Sequence, residues 1–149
     1  YGDLVLMDFG CQFNGYLSDM TRTVVVGKAT AKQKEVYKLE QQMLEVCLDR
    51  MKPGVPAADI YRAAREVLAG TGYEDYDYNN IGHGIGMFVH EFPQLTLACD
   101  DDLAAGNVIT VEPGIYLPGW GGIRIEDQVL VTENGIENMI SVPHDLIEL

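Results

Sequence analysis

The sequence predicts an α+β domain, and three observations carry that prediction. Strand-type runs lie at both ends of the chain, two segments of helical period lie between them, and turn residues punctuate each junction. Strands grouped in hairpins, with the helices kept apart from them, indicate segregated α and β elements rather than alternating βαβ units.

Leu4–Phe9 and Tyr16–Val26 read as two strands, and Asn14-Gly15 between them is a strong hairpin signal. A turn centred near Phe13–Asn14 sets Asp8 opposite Asp19. Like charges directly opposed in a hairpin destabilise it unless a cation lies between them; the alternative is that one aspartate caps or lines the turn. Gly27 ends the second strand, and Thr30-Ala31-Lys32-Gln33 has the form of a capping box. Val36, Leu39, Met43, Val46 and Cys47 recur at helical spacing to about Met51, where Pro53-Gly54 stops the helix. A second helix starts near Pro56 or Ala57, buries Ile60, Ala63, Ala64, Val67 and Leu68, and ends at Gly70 or Gly72. Met43, Met51 and Tyr61 read as packing residues. Tyr73 to Asn80 is polar and reads as a loop; Cys99-Asp100-Asp101-Asp102 reads as a solvated turn, because the spacing of a calcium loop is missing.

Asn107–Glu112 is a β-branched strand stopped by Pro113-Gly114, and Gly122–Val131 is a second one, joined to it through a glycine-rich loop. Alternation puts Thr110 and Glu112 on one face, Arg124 and Glu126 on one face of the partner, and Ile109, Val111, Ile123 and Ile125 on the other. The second hairpin thus repeats the first: an apolar strand pair with one carboxylate on each strand. Glu133-Asn134-Gly135 is a further turn, and the tail to Leu149 reads as a closing edge segment.

At 149 residues the chain is one domain's worth, with 47% hydrophobic and 22% charged residues. A formal charge of −13 argues against nucleic acid or an anionic membrane as a partner. No apolar run reaches membrane-spanning length. Cys11, Cys47 and Cys99 are odd in number and form no C-x-x-C pair, which points to reduced, packed thiols and a cytoplasmic setting. The chain enters an apolar strand directly after Tyr1, so a longer, N-terminally trimmed protein is expected.

Gly82-His83-Gly84-Ile85-Gly86-Met87-Phe88-Val89-His90-Glu91-Phe92-Pro93 holds two of the three histidines. Glycines at alternate positions disfavour helix, so His83 is either a packed imidazole or a positioned ligand. Asp8, Asp19, His83, Glu112 and Glu126 form a candidate ligand set. Four carboxylates in one pocket cannot all stay ionised without compensation. Two divalent cations supply that compensation, and an oxygen-rich set with one imidazole suits manganese, cobalt, iron or zinc. The alternative is scattered strand carboxylates with no common site.

Met7-Asp8-Phe9-Gly10 with Tyr16-Leu17-Ser18-Asp19-Met20-Thr21-Arg22-Thr23 resembles the paired-aspartate motif of the pita-bread metallopeptidases, the methionine aminopeptidase/prolidase/aminopeptidase P superfamily. Gly82–Gly86 and Val89–Pro93 resemble its histidine segment. Ile109–Tyr116 and Gly122–Asp127 resemble its two glutamate motifs, with forms closest to the Xaa-Pro branch. The resemblance runs in order over essentially the whole chain. It implies a pita-bread fold, an antiparallel curved sheet with helices on its outer face, whose first half-repeat is incomplete here. Residues 1–149 are then the C-terminal catalytic domain of a longer protein, lacking an upstream strand, helices and substrate-side histidine.

The resemblance further implies two divalent ions, manganese first. Asp19 and Glu126 bridge them, Asp8 completes one, and His83 and Glu112 complete the other. Glu112 is also the implied general base, His90 the group meeting the substrate carbonyl or oxyanion, and Arg124 the residue holding the metal-ligating acids. The implied activity is hydrolysis of the bond before proline in a peptide whose second residue is proline, by a homo-oligomeric protein. The rivals are a related metallopeptidase of methionine-aminopeptidase type, a creatinase-like amidinohydrolase, and a non-catalytic module or inactive fragment. His144 matches no family site and is expected at the surface.

Overall fold

The computed structural model covers residues 1–149. The chain opens with β1 (Leu4–Phe9), β2 (Gln12–Phe13), β3 (Tyr16–Leu17) and β4 (Met20–Val25). These form one hairpin whose ladder is interrupted: β1 pairs with β4 and β2 with β3, with Gly10-Cys11 and Ser18-Asp19 outside the regular pairing. Asn14 and Gly15 both have positive φ (50° and 88°), the conformation that a two-residue hairpin turn requires. The turn therefore centres on Asn14–Gly15, and the register sets Asp8 opposite Thr21, not opposite Asp19. Asp19 lies two residues nearer the tip, on the same face and diagonal to Asp8. Position 10 must be glycine, because a Cβ there would lie 1.8 Å from the Ser18 carbonyl oxygen.

Helix α1 (Ala31–Arg50) starts at the expected capping box: Thr30 Oγ1 accepts from the Gln33 amide at 3.2 Å, and Gln33 Oε1 accepts from the Thr30 amide at 2.8 Å. Helix α2 (Ala57–Leu68) follows. Val36, Met43, Leu44 and Cys47 of α1 and Ile60, Ala64 and Leu68 of α2 are fully buried in one core with Ile109, Val111, Ile123 and Ile125. Each such aliphatic side chain contributes roughly 1.5–3 kcal/mol on burial. That stripe, more than intrinsic propensity, holds the helices against the strands.

The chain continues through β5 (His83–Gly84) and β6 (Glu91–Gln94), then β7 (Val108–Val111), β8 (Gly114–Leu117), β9 (Gly121–Arg124), β10 (Asp127–Thr132) and β11 (Gly135–Asn138). A five-stranded sheet runs in the order β11-β10-β7-β5-β6, and all its pairings are antiparallel. The segment around Phe92-Pro93, expected as a loop exit, is an edge strand of this sheet. The glycine-rich connection, expected as a long loop, is largely the hairpin β8–β9, closed by Pro118-Gly119-Trp120. Like the first hairpin, this one is interrupted. Val111 pairs with Asp127 and Gly114 with Arg124, which sets Glu112 opposite Glu126 at the break.

The tail closes an edge, as expected: Glu148 bridges in parallel to Val25, whose carbonyl accepts from the Leu149 amide at 2.8 Å. No helix is long and apolar enough to cross a membrane.

Two substitutions test these elements. Thr30→Ala removes the cap of α1 and is expected to cost about 1 kcal/mol in urea unfolding. Gly10→Ala forces the first ladder break apart and is expected to cost about 1–3 kcal/mol. An unchanged urea midpoint for Gly10→Ala would show that the break has room the geometry denies.

Candidate metal centre

Both ladder interruptions face the same space, and each carries acids into it. Asp8 is the last residue but one of β1, Asp19 lies in the first break, and Glu112 and Glu126 form the second. Carboxylate oxygens of Asp8, Asp19 and Glu126 all lie within 4.8 Å of one another. His83 Nε2 lies 3.1 Å from Glu112 Oε1 and 4.0 Å from Asp19 Oδ2. The five residues singled out from sequence therefore converge on one centre. Asp8, Asp19, His83 and Glu112 line a cavity of about 480 Å³ together with His90, Phe9 and Val89, and Glu126 is buried beside Asp8 and Asp19.

His83 is held from both ends. Its amide donates to Thr110 Oγ1 at 3.0 Å, and its Nδ1 lies 3.0 Å from the Gly84 carbonyl oxygen. A carbonyl only accepts, so Nδ1 carries the proton and Nε2 faces the acids. Burial pushes the imidazole down, but the hydrogen bonds to Glu112 and Gly84 and the charges of Glu112 and Asp19 outweigh it and raise the pKa. A cation beside Nε2 would answer the same neighbouring acids.

The carboxylates show the same need. Glu126 is 1% exposed; its Oε2 accepts from Thr21 Oγ1 at 2.6 Å, while Oε1 has no partner. Burial, followed by the charges of Glu112 and Asp19, pushes its pKa up to about 8. Asp19 is also raised, first by burial and then by Asp8 and Glu112. A buried carboxylate oxygen without a hydrogen bond costs about 1–3 kcal/mol or more, so its persistence calls for a ligand. An all-oxygen set with one imidazole suits a hard or borderline divalent cation. The residues present fit such an ion.

Around these acids lies a further layer. Arg124 Nη2 is paired with Asp8 Oδ2, its Nε lies 3.7 Å from Glu112 Oε2, and its Nη1 donates to the Tyr116 hydroxyl at 2.9 Å. Thr110 Oγ1 donates to Glu112 Oε1 at 3.1 Å, and the Asp19 amide donates to Gln128 Oε1 at 3.0 Å. Alternation places Thr110 on the face of Glu112, but Thr21 and Gln128 were not singled out from sequence. Each is two positions from one of the converging acids, so the same alternation rule would have found them.

His90 is exposed, and its ring centroid lies 4.3 Å from that of His83. Seven residues of straight strand would put the two on opposite faces; the bends between Gly86 and His90 bring them together. Two other expectations are corrected. Cys11 is exposed at the cavity mouth, because the ladder break turns it outward, whereas Cys47 is packed as expected. His144 is only partly exposed: its Nε2 lies 2.8 Å from Oδ2 of the fully buried Asp127, an acid that needs partners.

Residues 1–133 match the model of metallopeptidase family M24. The chain is 42% identical over 146 residues to a Xaa-Pro dipeptidase of Pyrococcus furiosus, covering 98% of the chain and 42% of that relative. Its fold is similar to that of an X-Pro aminopeptidase from Thermotoga maritima (TM-score 0.96, 37% identity, 99% of this chain and 42% of that one). It is likewise similar to a prolidase from Pyrococcus furiosus (TM-score 0.93, 43% identity, 95% of this chain and 42% of that one). The chain thus spans about two fifths of the length of these relatives, and over that part it shares the pita-bread architecture of those solved neighbours. On sequence, fold and the arrangement of its acids, the chain belongs to metallopeptidase family M24.

Proposed function

We propose that these residues are the C-terminal catalytic domain of a longer Xaa-Pro peptidase. It hydrolyses the bond before proline in a peptide whose second residue is proline. The single observation that carries the reading is the convergence of Asp8, Asp19, His83, Glu112 and Glu126, with one oxygen of buried Glu126 left unpartnered. The names of the relatives supply the substrate class. All five ligand residues stand, which counts against a non-catalytic module and against a creatinase-like member lacking the full set.

Four carboxylates favour two divalent ions over one, manganese first and cobalt, zinc or iron as alternatives. Asp8, Asp19, His83, Glu112 and Glu126 would hold them. Such ions act as Lewis acids and bring the pKa of a bound water toward neutrality.

The rest is done by the chain. Glu112 takes the proton of the attacking water; its carboxylate is oriented for this by Thr110 Oγ1 at 3.1 Å and faced by Arg124 Nε at 3.7 Å. His90, beside His83 and open to the cavity, donates to the carbonyl oxygen of the scissile bond as negative charge develops there. Arg124 keeps Asp8 and Glu112 in place. The working protein is a homo-oligomer in the cytoplasm, a setting consistent with three free cysteines.

Glu112→Gln is expected to lower kcat on an Xaa-Pro dipeptide with Mn²⁺ by about 100-fold or more, with the peptide affinity little changed. Full activity in this variant would refute the base assignment. A panel pairing Xaa-Pro dipeptides with longer Xaa-Pro peptides and Met-initiated peptides separates this reading from a methionine-aminopeptidase type.

A pH prediction follows from Glu126. Its folded pKa of about 8 lies above the ordinary 4.5. The neutral acid therefore favours the metal-free fold fully below about 4.5, and that contribution is lost as pH rises through about 8. In EDTA, Tm should fall across this window, and Mn²⁺ should abolish the fall because it compensates the ionised acids. A metal-free Tm that is flat across the window would remove the repulsion argument.

A further inference from the structure

Arg22 is buried, sits beside the ligand acids without pairing with their carboxylates, and has no part in the chemistry above. Its guanidinium has five N–H groups, and every one has an acceptor. Nη1 donates to the Thr21 carbonyl at 2.9 Å and to the Glu126 carbonyl. Nη2 donates to Asp127 Oδ1 and to the Val142 carbonyl, both at 2.8 Å, and Nε donates to the Pro143 carbonyl at 3.2 Å. One acceptor lies on the first hairpin, two on the second and two on the C-terminal tail.

The choice of acceptors matters more than their number. The Glu126 amide donates to the same Thr21 carbonyl at 3.0 Å. Both backbone polar groups of Glu126 are therefore tied to the first hairpin, one directly at Thr21, two residues from Asp19, and one through Arg22. Nothing in the strand ladder does this, because Glu126 lies in the ladder break. Asp127 in turn is held through Oδ2 by Asn138 and by His144, at 2.8 Å for the histidine. The tail thus reaches the ligand acids through Val142, Pro143 and His144.

We propose that Arg22 is a positioning residue for the metal centre: it sets the gap between the two hairpins, and the tail at Val142–His144 holds it in that position. This rests on the metal reading above. Lysine keeps the charge at position 22 but offers three donors from one point, and it cannot span five acceptors on three segments.

The test uses Co²⁺ as a spectroscopic probe in the protein that carries this chain. Metal-free wild type, Arg22→Lys and His144→Ala are titrated with Co²⁺ and followed by visible d–d absorption, with circular dichroism and Tm as controls for folding. Folded Arg22→Lys should bind Co²⁺ about tenfold or more weakly, with a shifted d–d band. His144→Ala, at a partly exposed site, should weaken binding severalfold. A folded Arg22→Lys with wild-type affinity and spectrum overturns the proposal. If Arg22→Lys does not fold, His144→Ala decides: wild-type Co²⁺ affinity there overturns it, and weakened binding by a folded protein supports it. If wild type itself binds no Co²⁺, the metal reading fails first and this inference falls with it. Loss of peptidase activity with Co²⁺ binding intact refutes only the proposed reaction.

Discussion

Mutual repulsion among Asp8, Asp19, Glu112 and Glu126 is the constraint to which the surrounding structure answers. Two like charges about 4 Å apart interact with roughly 4 kcal/mol at an effective dielectric near 20. Several such pairs together rival the whole stability of a domain, about 5–15 kcal/mol. A site of this kind survives only if protons or cations neutralise it. Burial and the neighbouring acids raise Glu126 and Asp19, and those acids raise His83 against its burial, each in the direction that lowers the negative charge of the site. Arg124 compensates part of the charge directly, through its pairing with Asp8.

The ladder breaks are the structural device that lets two hairpins present acids to one point. A continuous ladder would alternate side chains along flat strands and keep each pair of backbones about 5 Å apart. Breaking it frees backbone groups that must find other partners. The Ile125 amide meets the buried Glu40 carboxylate at 3.3 Å, the Glu126 amide meets Thr21, and the Glu112 amide meets the Ile81 carbonyl at 2.8 Å. Each replacement bond ties the break to a different element. Glu112 and Glu126 are therefore fixed by α1, β4 and the segment before β5 as well as by their own strands, as a site that must hold a set geometry requires.

His90 stands in contrast to this rigidity. It lies on an exposed bend whose one side-chain anchor is Glu91, whose Oε1 accepts from the Phe88 amide at 2.9 Å. His83 is thus locked at both ends, while His90, facing the cavity, sits on an exposed segment. That division fits one residue that holds an ion and another that meets a substrate arriving from solvent.

Much of the molecule was legible in the sequence, because the determining signals are local. The capping box at Thr30, the helical spacing of Val36, Met43 and Cys47, and the Asn14-Gly15 turn each act within a few residues. Period-two alternation correctly placed Ile109, Val111, Ile123 and Ile125 in the core and the acids on the opposite face. Register was another matter. The choice of Asp8 opposite Thr21 rather than Asp19 depends on a one-residue shift of the turn centre, which alternation alone cannot resolve. The continuation of the second hairpin into β8–β9, the edge strand through Phe92-Pro93 and the contact of His144 with Asp127 were equally out of reach. Residue types and spacing determined which acids and which histidine could serve an ion, since side-chain chemistry and strand parity are properties of the chain itself. Whether they meet at one point was decided only by tertiary structure, because the groups that hold Glu126 and His83 in place come from strands, a helix and a tail tens of residues away.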